Sequence, residues 1–375
     1  MINKHRVCVV TFPVSQSGVI PLSNFVNILK ELSNNISVIS SDVFLRNYVI
    51  CKDNIRIYPV THAKGRTSLE RIKNYLVTQI KISIKILKLR RKFDICIFFI
   101  GGDGLIVPCI VCKLLNKKTI LYFAGSMIQT ARNKNDALVG FLKLLSSINK
   151  RTCDRIILYS PNLIKEWNLE KYKDKILIAH EHFLDFSKFE IKKKLSERNN
   201  LVGYIGRLSG EKGILNFVKA IPEILNERDD LEFLIGGDGQ LRDEIEKYIN
   251  EKNLNDKVKL VGWIPHGNLP DHLNELKLLV LPSYTEGLPN IMLEAMACST
   301  PVLATPVGGV PDVIKDGETG FIMENNLPEH IARNVIRALN HPNQEKIAEN
   351  ARALVEMEFT YEKAVEKYRK ILDDL

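Results

Sequence analysis

Short unbroken apolar runs alternate along this chain with longer stretches in which apolar residues return every three or four positions. Residues 6–12 form a run of the first kind. Residues 19–32 follow with Ile20, Phe25, Ile28, Leu29 and Leu32 at helical spacing. The alternation continues with strand patterns at 37–40, 94–100, 119–123, 155–159 and 175–179, and helical patterns at 69–91 and 105–115. It restarts at Leu201: strands are predicted at 201–205, 232–235, 258–261, 278–281 and 302–304, with helices at 213–226 and 241–250. Buried strands separated by helices are the signature of a parallel sheet covered on both faces. The chain therefore reads as α/β, with two Rossmann-like domains.

Between the two series, residues 191–200 are polar and charged without apolar periodicity, which predicts a linker. The predicted organisation is a first domain at 1–190, the linker at 191–200, a second domain at 201–358 and a terminal helix at 359–375 whose docking site is not legible in the sequence. A chain of 375 residues suits two such domains. One internal echo is visible: residues 98–104 (FFIGGDG) resemble residues 233–239 (FLIGGDG), each a strand running into a Gly-rich turn. Such turns let a ligand approach the backbone at a strand's carboxyl end, or simply permit the turn.

Charge divides the chain. Residues 1–190 carry 30 Lys and Arg against 14 Asp and Glu, whereas the remainder carries 23 against 30. An anionic partner is thus implied for the first half only: nucleic acid, an anionic membrane surface or a phosphorylated lipid. Nucleic acid is the weakest of these, because no aromatic-plus-basic module accompanies the charge. Residues 69–92 combine Lys73, Lys81, Lys85 and Lys88 with an apolar stripe of Ile72, Leu76, Ile80, Ile84 and Leu87. That stripe either faces the core or lies at a membrane interface. No apolar run reaches the ~18 residues of a membrane span, and the first residues lack a signal-peptide pattern, so a cytoplasmic location, or one peripheral at the inner face of the membrane, is expected. Cys109 and Cys112 form a lone CxxC with no second pair, which reads as core packing rather than zinc.

Two motifs carry candidate chemistry. Residues 206–213 (GRLSGEKG) follow the strand at 201–205 and open a helix, so free N–H groups and a dipole's positive end meet Arg207 and Lys212, as a diphosphate requires. Residues 282–297 (PSYTEGLPNIMLEAMA) follow the strand at 278–281. They place Glu286 in a loop and Glu294 about one turn inside the next helix. Carboxylates so placed can accept hydrogen bonds from sugar or ribose hydroxyls, and backbone N–H groups in the stretch Gly287, Leu288, Pro289 and Asn290 can receive phosphate oxygens.

These motifs, seven residues between Glu286 and Glu294, and the downstream run 300–321 resemble the group 1 (family 4) glycosyltransferases. The resemblance is contiguous over about residues 201–323 and looser in the first half, where Gly18, Asp185 and Phe189 match. It implies a GT-B fold, two Rossmann-like domains facing across a cleft, with a C-terminal helix that can return to the first domain. It further implies retaining transfer from a nucleotide-sugar to a glycan, lipid-linked or small-molecule acceptor. Arg207 and Lys212 would neutralise the diphosphate. Glu286 with residues 287–290 would hold the donor sugar and phosphate, and Glu294 the ribose. Ile264 would meet the base. Gly206, Gly237, Asp238, Gly239 and Gly18 would line the donor site. No metal and no cofactor are implied, because cationic side chains meet the diphosphate.

One position departs from the family pattern. Ala124 stands where members carry a His after the fourth-strand segment of the first domain. Ser126 or Gln129 can substitute for it, the His can be dispensable, or the protein can be a catalytically silent nucleotide-sugar-binding subunit. His180 and His182 near the domain junction are further candidates. A nucleotide-sugar epimerase on the same fold is disfavoured by the Glu286/Glu294 context.

Overall fold

A computed structural model describes residues 5–14, 18–47, 54–63, 65–125, 128 and 137–375. The chain divides into two compact units: Met1–Phe183 with Tyr361–Leu375, and Leu184–Thr360.

The first unit holds β1 (His5–Thr11), β2 (Ser33–Ser40), β3 (Ile55–Pro59), β4 (Ile95–Phe99), β5 (Lys118–Phe123), β6 (Arg155–Leu158) and β7 (Ile176–Ile178). All pair in parallel in the order β3-β2-β1-β4-β5-β6-β7. The order reverses between β1 and β4, where Cys8 lies opposite Cys96, so the loops after these two strands diverge and leave a crevice at their carboxyl ends. The helix Val19–Leu32 follows β1 as its periodicity predicts. The edge strand β3 has no clear signal in the sequence, because only Ile55 of its five residues is fully buried.

The terminal helix Tyr361–Asp373 belongs to this first unit and packs on Val19–Leu32. The Tyr361 hydroxyl donates to the Asn27 carbonyl at 2.7 Å. Deeper in, the Tyr368 hydroxyl donates to that of Tyr122 at 2.5 Å. Tyr122 donates to the Glu181 carboxylate, which also accepts from Tyr159 at 2.6 Å. Burial beside this carboxylate pushes all three phenols well above their usual pKa. Glu181 is only 2% exposed, so two hydroxyls that reach its carboxylate directly, and a third behind Tyr122, supply the polar environment its burial demands.

The second unit holds β8 (Leu201–Ile205), β9 (Glu232–Gly236), β10 (Val258–Gly262), β11 (Leu278–Leu281), β12 (Val302–Ala304) and β13 (Phe321–Ile322), in the parallel order β10-β9-β8-β11-β12-β13. The order again reverses, here between β8 and β11. Phe217, Ile221, Phe233 and Phe321 fill the core between this sheet and the helices Ile214–Glu227 and Pro328–Leu339. Residues 191–200, read as a linker, sit inside the second unit. Arg198 is buried there. Its guanidinium donates to the carbonyls of Leu276 (3.0 Å) and Cys298 (2.7 Å) and to the Thr300 hydroxyl (2.7 Å). Burial lowers its pKa to about 10.

Candidate functional site

The two sequence motifs occupy the loops after β8 and β11, the two strands that flank the reversal of order in the second sheet. A crevice at such a reversal is where open α/β sheets bind ligands. The loops are tied to one another by backbone as well as side chains. The Tyr284 N–H donates to the Glu211 carbonyl at 2.9 Å, and the Asn216 amide, in the helix that the first loop opens, donates to the Tyr284 hydroxyl at 3.0 Å. Gly213 adopts φ +66°, and a Cβ there would lie 1.9 Å from the Pro282 carbonyl oxygen, so only glycine permits this approach. It also starts the helix Ile214–Glu227 without a side-chain cap, leaving first-turn N–H groups without that partner.

The approach of the loops brings charge together. The Lys212 ammonium donates to Glu286 Oε1 at 2.6 Å, and the Ser283 hydroxyl donates to the same oxygen at 2.7 Å. Both side chains of the ion pair are largely buried. Arg207 differs. Its side chain is 61% exposed and pairs with Glu211 at 3.0 Å. A pair so exposed is worth no more than about 1 kcal/mol, so the guanidinium is readily available to an anion. Its carbonyl is held by the Tyr204 hydroxyl at 2.8 Å, which fixes the loop beneath the exposed side chain.

Residues 287–290 run from Glu286 into the helix Asn290–Ala297, whose cap residue Pro289 makes no side-chain bond to the first turn. Glu294 lies inside this helix, and its residue is only 8% exposed. One carboxylate oxygen meets His266 Nε2 at 2.9 Å. This bond raises the His266 pKa. The Phe189 ring packs against His266 with centroids 5.6 Å apart. His266 carries no signal in the sequence. It reaches Glu294 because the connection from β10 back to β11 crosses the sheet, and its helix Leu269–Glu275 packs on Asn290–Ala297.

The third wall is the turn after β9. Gly237 (φ +128°) would place a Cβ 1.8 Å from the Gly206 carbonyl oxygen, so the turns after β8 and β9 touch through backbone. The Leu208 N–H donates to the Asp238 carbonyl at 3.0 Å, and Asp238 caps its own neighbour Gly239 through a 2.8 Å side-chain bond. Ile264 packs over Gly236, whereas Trp263 beside it is 77% exposed. Arg207, Lys212, Glu286, Ile264 and the turns at 206 and 237–239 are therefore all carried by loops at one end of a single sheet, and Glu294 by the helix that one of those loops opens.

The first unit holds the other predicted residues. Gly18 caps the helix after β1 at the reversal of the first sheet, against Val14. The echo turn there is built differently from its counterpart. Asp103 is turned inward, with Ser146 at 3.4 Å, and burial raises its pKa to about 6, while Asp238 faces solvent. Ala124 follows β5 directly and is half-buried. Ser126 and Gln129 lie outside the described residues. His180 and His182 are buried in this unit, and burial pushes the His180 pKa well below its usual value. Cys109 and Cys112 are buried on the helix Ile106–Leu114.

This arrangement is similar to that of known proteins. Residues 185–354 match the family described as glycosyl transferases group 1. The chain is 34% identical over 183 residues to the alpha-D-kanosaminyltransferase of Streptomyces kanamyceticus, covering 47% of each chain. It is 30% identical over 149 residues to the 2-deoxystreptamine N-acetyl-D-glucosaminyltransferase of Niallia circulans, covering 40% of this chain and 38% of that one. The matched region thus spans at most about half the length of these curated relatives. Among solved structures, Anabaena HepE in complex with UDP and glucose superposes with a TM-score of 0.75 at 16% identity, covering 99% of this chain and all of that one. The sucrose-phosphate synthase of Thermosynechococcus elongatus gives 0.75 at 16%, with the same coverage. The fold is GT-B.

Proposed function

We propose, from the match of residues 185–354 to the group 1 glycosyl transferases, that this chain transfers a sugar from a nucleoside-diphospho-sugar to an acceptor. The observation that carries the reading is the convergence of Lys212, Glu286 and an uncapped helix start at the reversal of the second sheet. A diphosphate needs cations and free N–H groups, and a sugar needs a carboxylate. All three stand on two touching loops.

In this reading Arg207 and Lys212 meet the diphosphate and stabilise the charge that grows on it as the glycosidic bond breaks. Glu286, freed from Lys212 as the phosphates take over the ammonium, accepts hydrogen bonds from donor-sugar hydroxyls. The backbone of 287–290 receives phosphate oxygens. Glu294 accepts from the ribose hydroxyls, and His266 holds the carboxylate in place. Ile264 packs on the base, with Gly206, Gly237, Asp238 and Gly239 lining the crevice of the second unit. The reading assigns no metal and no cofactor. It places the chain in family 4 and includes retention at the anomeric carbon, in which the departing phosphate oxygen accepts the acceptor's proton. That route asks for no protein base and is compatible with Ala124. A uridine nucleotide is the first donor to try, since HepE is described with UDP and glucose. The acceptor is a glycan, a lipid-linked species or a small molecule. 2-Deoxystreptamine belongs in the panel because it stands in the name of one relative.

Ala124 also supports a second reading, a subunit that binds donor without turnover. One experiment separates the two. The protein is incubated with UDP-, GDP- and ADP-sugars and the acceptor panel, and products are read by mass spectrometry, with Glu286→Ala and Arg207→Ala alongside. Donor-dependent product that disappears in both variants supports transfer. Donor binding by calorimetry without product across the panel supports the silent subunit, and neither binding nor product overturns both.

A further inference from the structure

Three neighbouring helices of the first unit, Ser68–Leu89, Ile106–Leu114 and Val139–Thr152, connect β3 to β4, β4 to β5 and β5 to β6. These connections all advance in one direction across the sheet, so right-handed crossovers put the three helices on one face, where they pack side by side. Each turns a buried side to the sheet: Ile82 and Ile86 in the first, Cys109 and Cys112 in the second, Leu145 and Asn149 in the third.

Their outer sides are also apolar. On the first helix Leu76, Ile80, Ile84 and Leu87 form a stripe between 43% and 53% exposed. On the second, Ile110 is 42% and Leu114 79% exposed, and on the third Leu144 is 59% exposed. The stripes of the first two helices meet where the Val107 N–H donates to the Gln79 side chain at 2.9 Å, beside Ile80. Single exposed apolar residues are ordinary, but rows of them on three packed helices mark a surface that something covers.

Charge identifies what covers it. The three helices carry nine Lys and Arg against one acidic residue, Glu70. Glu70 is itself occupied at the helix start, accepting from the Arg66 N–H at 2.8 Å. Along the exposed stripe each apolar residue from Ile80 onward is followed by a lysine: Ile80-Lys81, Ile84-Lys85 and Leu87-Lys88. An ammonium on a long alkyl stem beside each apolar side chain suits a boundary between hydrocarbon and phosphate. Lys113 is paired with Asp154 at 2.7 Å and Lys150 is half-buried, but a second copy of the same face would still set Lys81, Lys85 and Lys88 against their own kind, which disfavours self-association through it. Among the described residues no helix is long and apolar enough to cross a membrane, so the helices would lie on such a boundary and not span it.

We infer that this three-helix face docks on an anionic lipid bilayer, with Ile80, Ile84, Leu114 and Leu144 entering the headgroup boundary and the lysines facing lipid phosphates. The inference stands apart from sugar transfer, because lipid binding is read without donor. The test is flotation of the full chain with phosphatidylcholine vesicles, with and without roughly 30% phosphatidylglycerol, at about 0.05 M and about 0.5 M salt. Partition onto the anionic vesicles should exceed that onto neutral ones by about tenfold or more and should fall at high salt. Ile80→Gln/Ile84→Gln and Lys85→Gln/Lys88→Gln should each lower it by about tenfold, with thermal unfolding unchanged. Equal partition onto both vesicles, no partition at all, or variants that float like the wild type would overturn the inference. So would a dimer in solution that Ile80→Gln/Ile84→Gln converts to monomer, since the face would then be a protein interface.

Discussion

The Lys212 ammonium stands 2.6 Å from Glu286 Oε1 across 74 residues of sequence. The distance is short because β8 and β11 are neighbours and Gly213 lets their loops touch. Each charge is the other's partner, so neither is buried uncompensated. A donor diphosphate would draw the ammonium away and leave the carboxylate to a sugar.

Lys212→Met should therefore lower kcat/KM for the donor by about 10²–10³-fold, the range found when one preorganised charge-stabilising group is removed. The unfolding temperature should also fall, because the largely buried Glu286 carboxylate is left with the Ser283 hydroxyl and no cation. Steady-state kinetics across donor concentrations checks this. An unchanged kcat/KM would remove Lys212 from the diphosphate site.

His266 predicts a pH dependence. Its pKa is raised by the bond to Glu294. A raised pKa gives stability that is fully present below the unfolded-state value and is lost as pH rises through the folded one. The unfolding temperature of His266→Ala should thus fall furthest below that of the wild type at about pH 6, and the gap should narrow toward about pH 9. The His266 side chain is 55% exposed, so solvent limits the pH-dependent part to less than about 1 kcal/mol. A gap independent of pH would leave only the packing on Phe189.

Gly213 and Gly210 share one loop and differ in what a side chain would meet. A Cβ at Gly213 runs into the Pro282 carbonyl, whereas one at Gly210 meets nothing within 4 Å. Gly213→Ala should cost more than about 2 kcal/mol in urea unfolding and should abolish donor binding, because the loops must part. Gly210→Ala should stay within about 1 kcal/mol of wild type. Comparable losses in both would show that the contact across the loops is not what the glycine serves.

The buried carboxylate of the first unit predicts an asymmetry. Tyr368→Phe removes one hydroxyl from the end of the series and should cost about 1 kcal/mol. Glu181→Ala removes the acceptor of both Tyr122 and Tyr159 and opens a void, and should cost about 3 kcal/mol or more. Denaturant unfolding of the two variants measures the difference. Equal costs would mean that the hydroxyls, and not the carboxylate, organise the cluster.

Much of the architecture is legible in the apolar pattern itself. Strands 201–205, 278–281 and 302–304 and the helix at 19–32 fall where that pattern puts them, because a strand buried on both faces must be continuously apolar and a packed helix must show its period. The short edge strand β3 carries a weak signal and is not among the predicted elements; the helices Pro328–Leu339 and Gln344–Glu358 are also not among them, although Ile331, Val335 and Ala338 recur at helical spacing. Polar composition also misleads about exposure, as Arg198 shows: a guanidinium that finds carbonyls and a hydroxyl can be buried within a segment that reads as linker.

Local order along the chain thus determined the α/β class, the two series of strands and the two motifs that follow β8 and β11, because side-chain period and turn chemistry are properties of neighbouring residues. Tertiary structure alone decided that Lys212 meets Glu286, that His266 holds Glu294, and that the stripe Leu76–Ile80–Ile84–Leu87 faces solvent while Ile82 and Ile86 face the core. Each of these depends on strand order and on which side of a helix finds the sheet. A one-dimensional pattern shows that a helix has an apolar side, but not which side the sheet will claim when both are apolar.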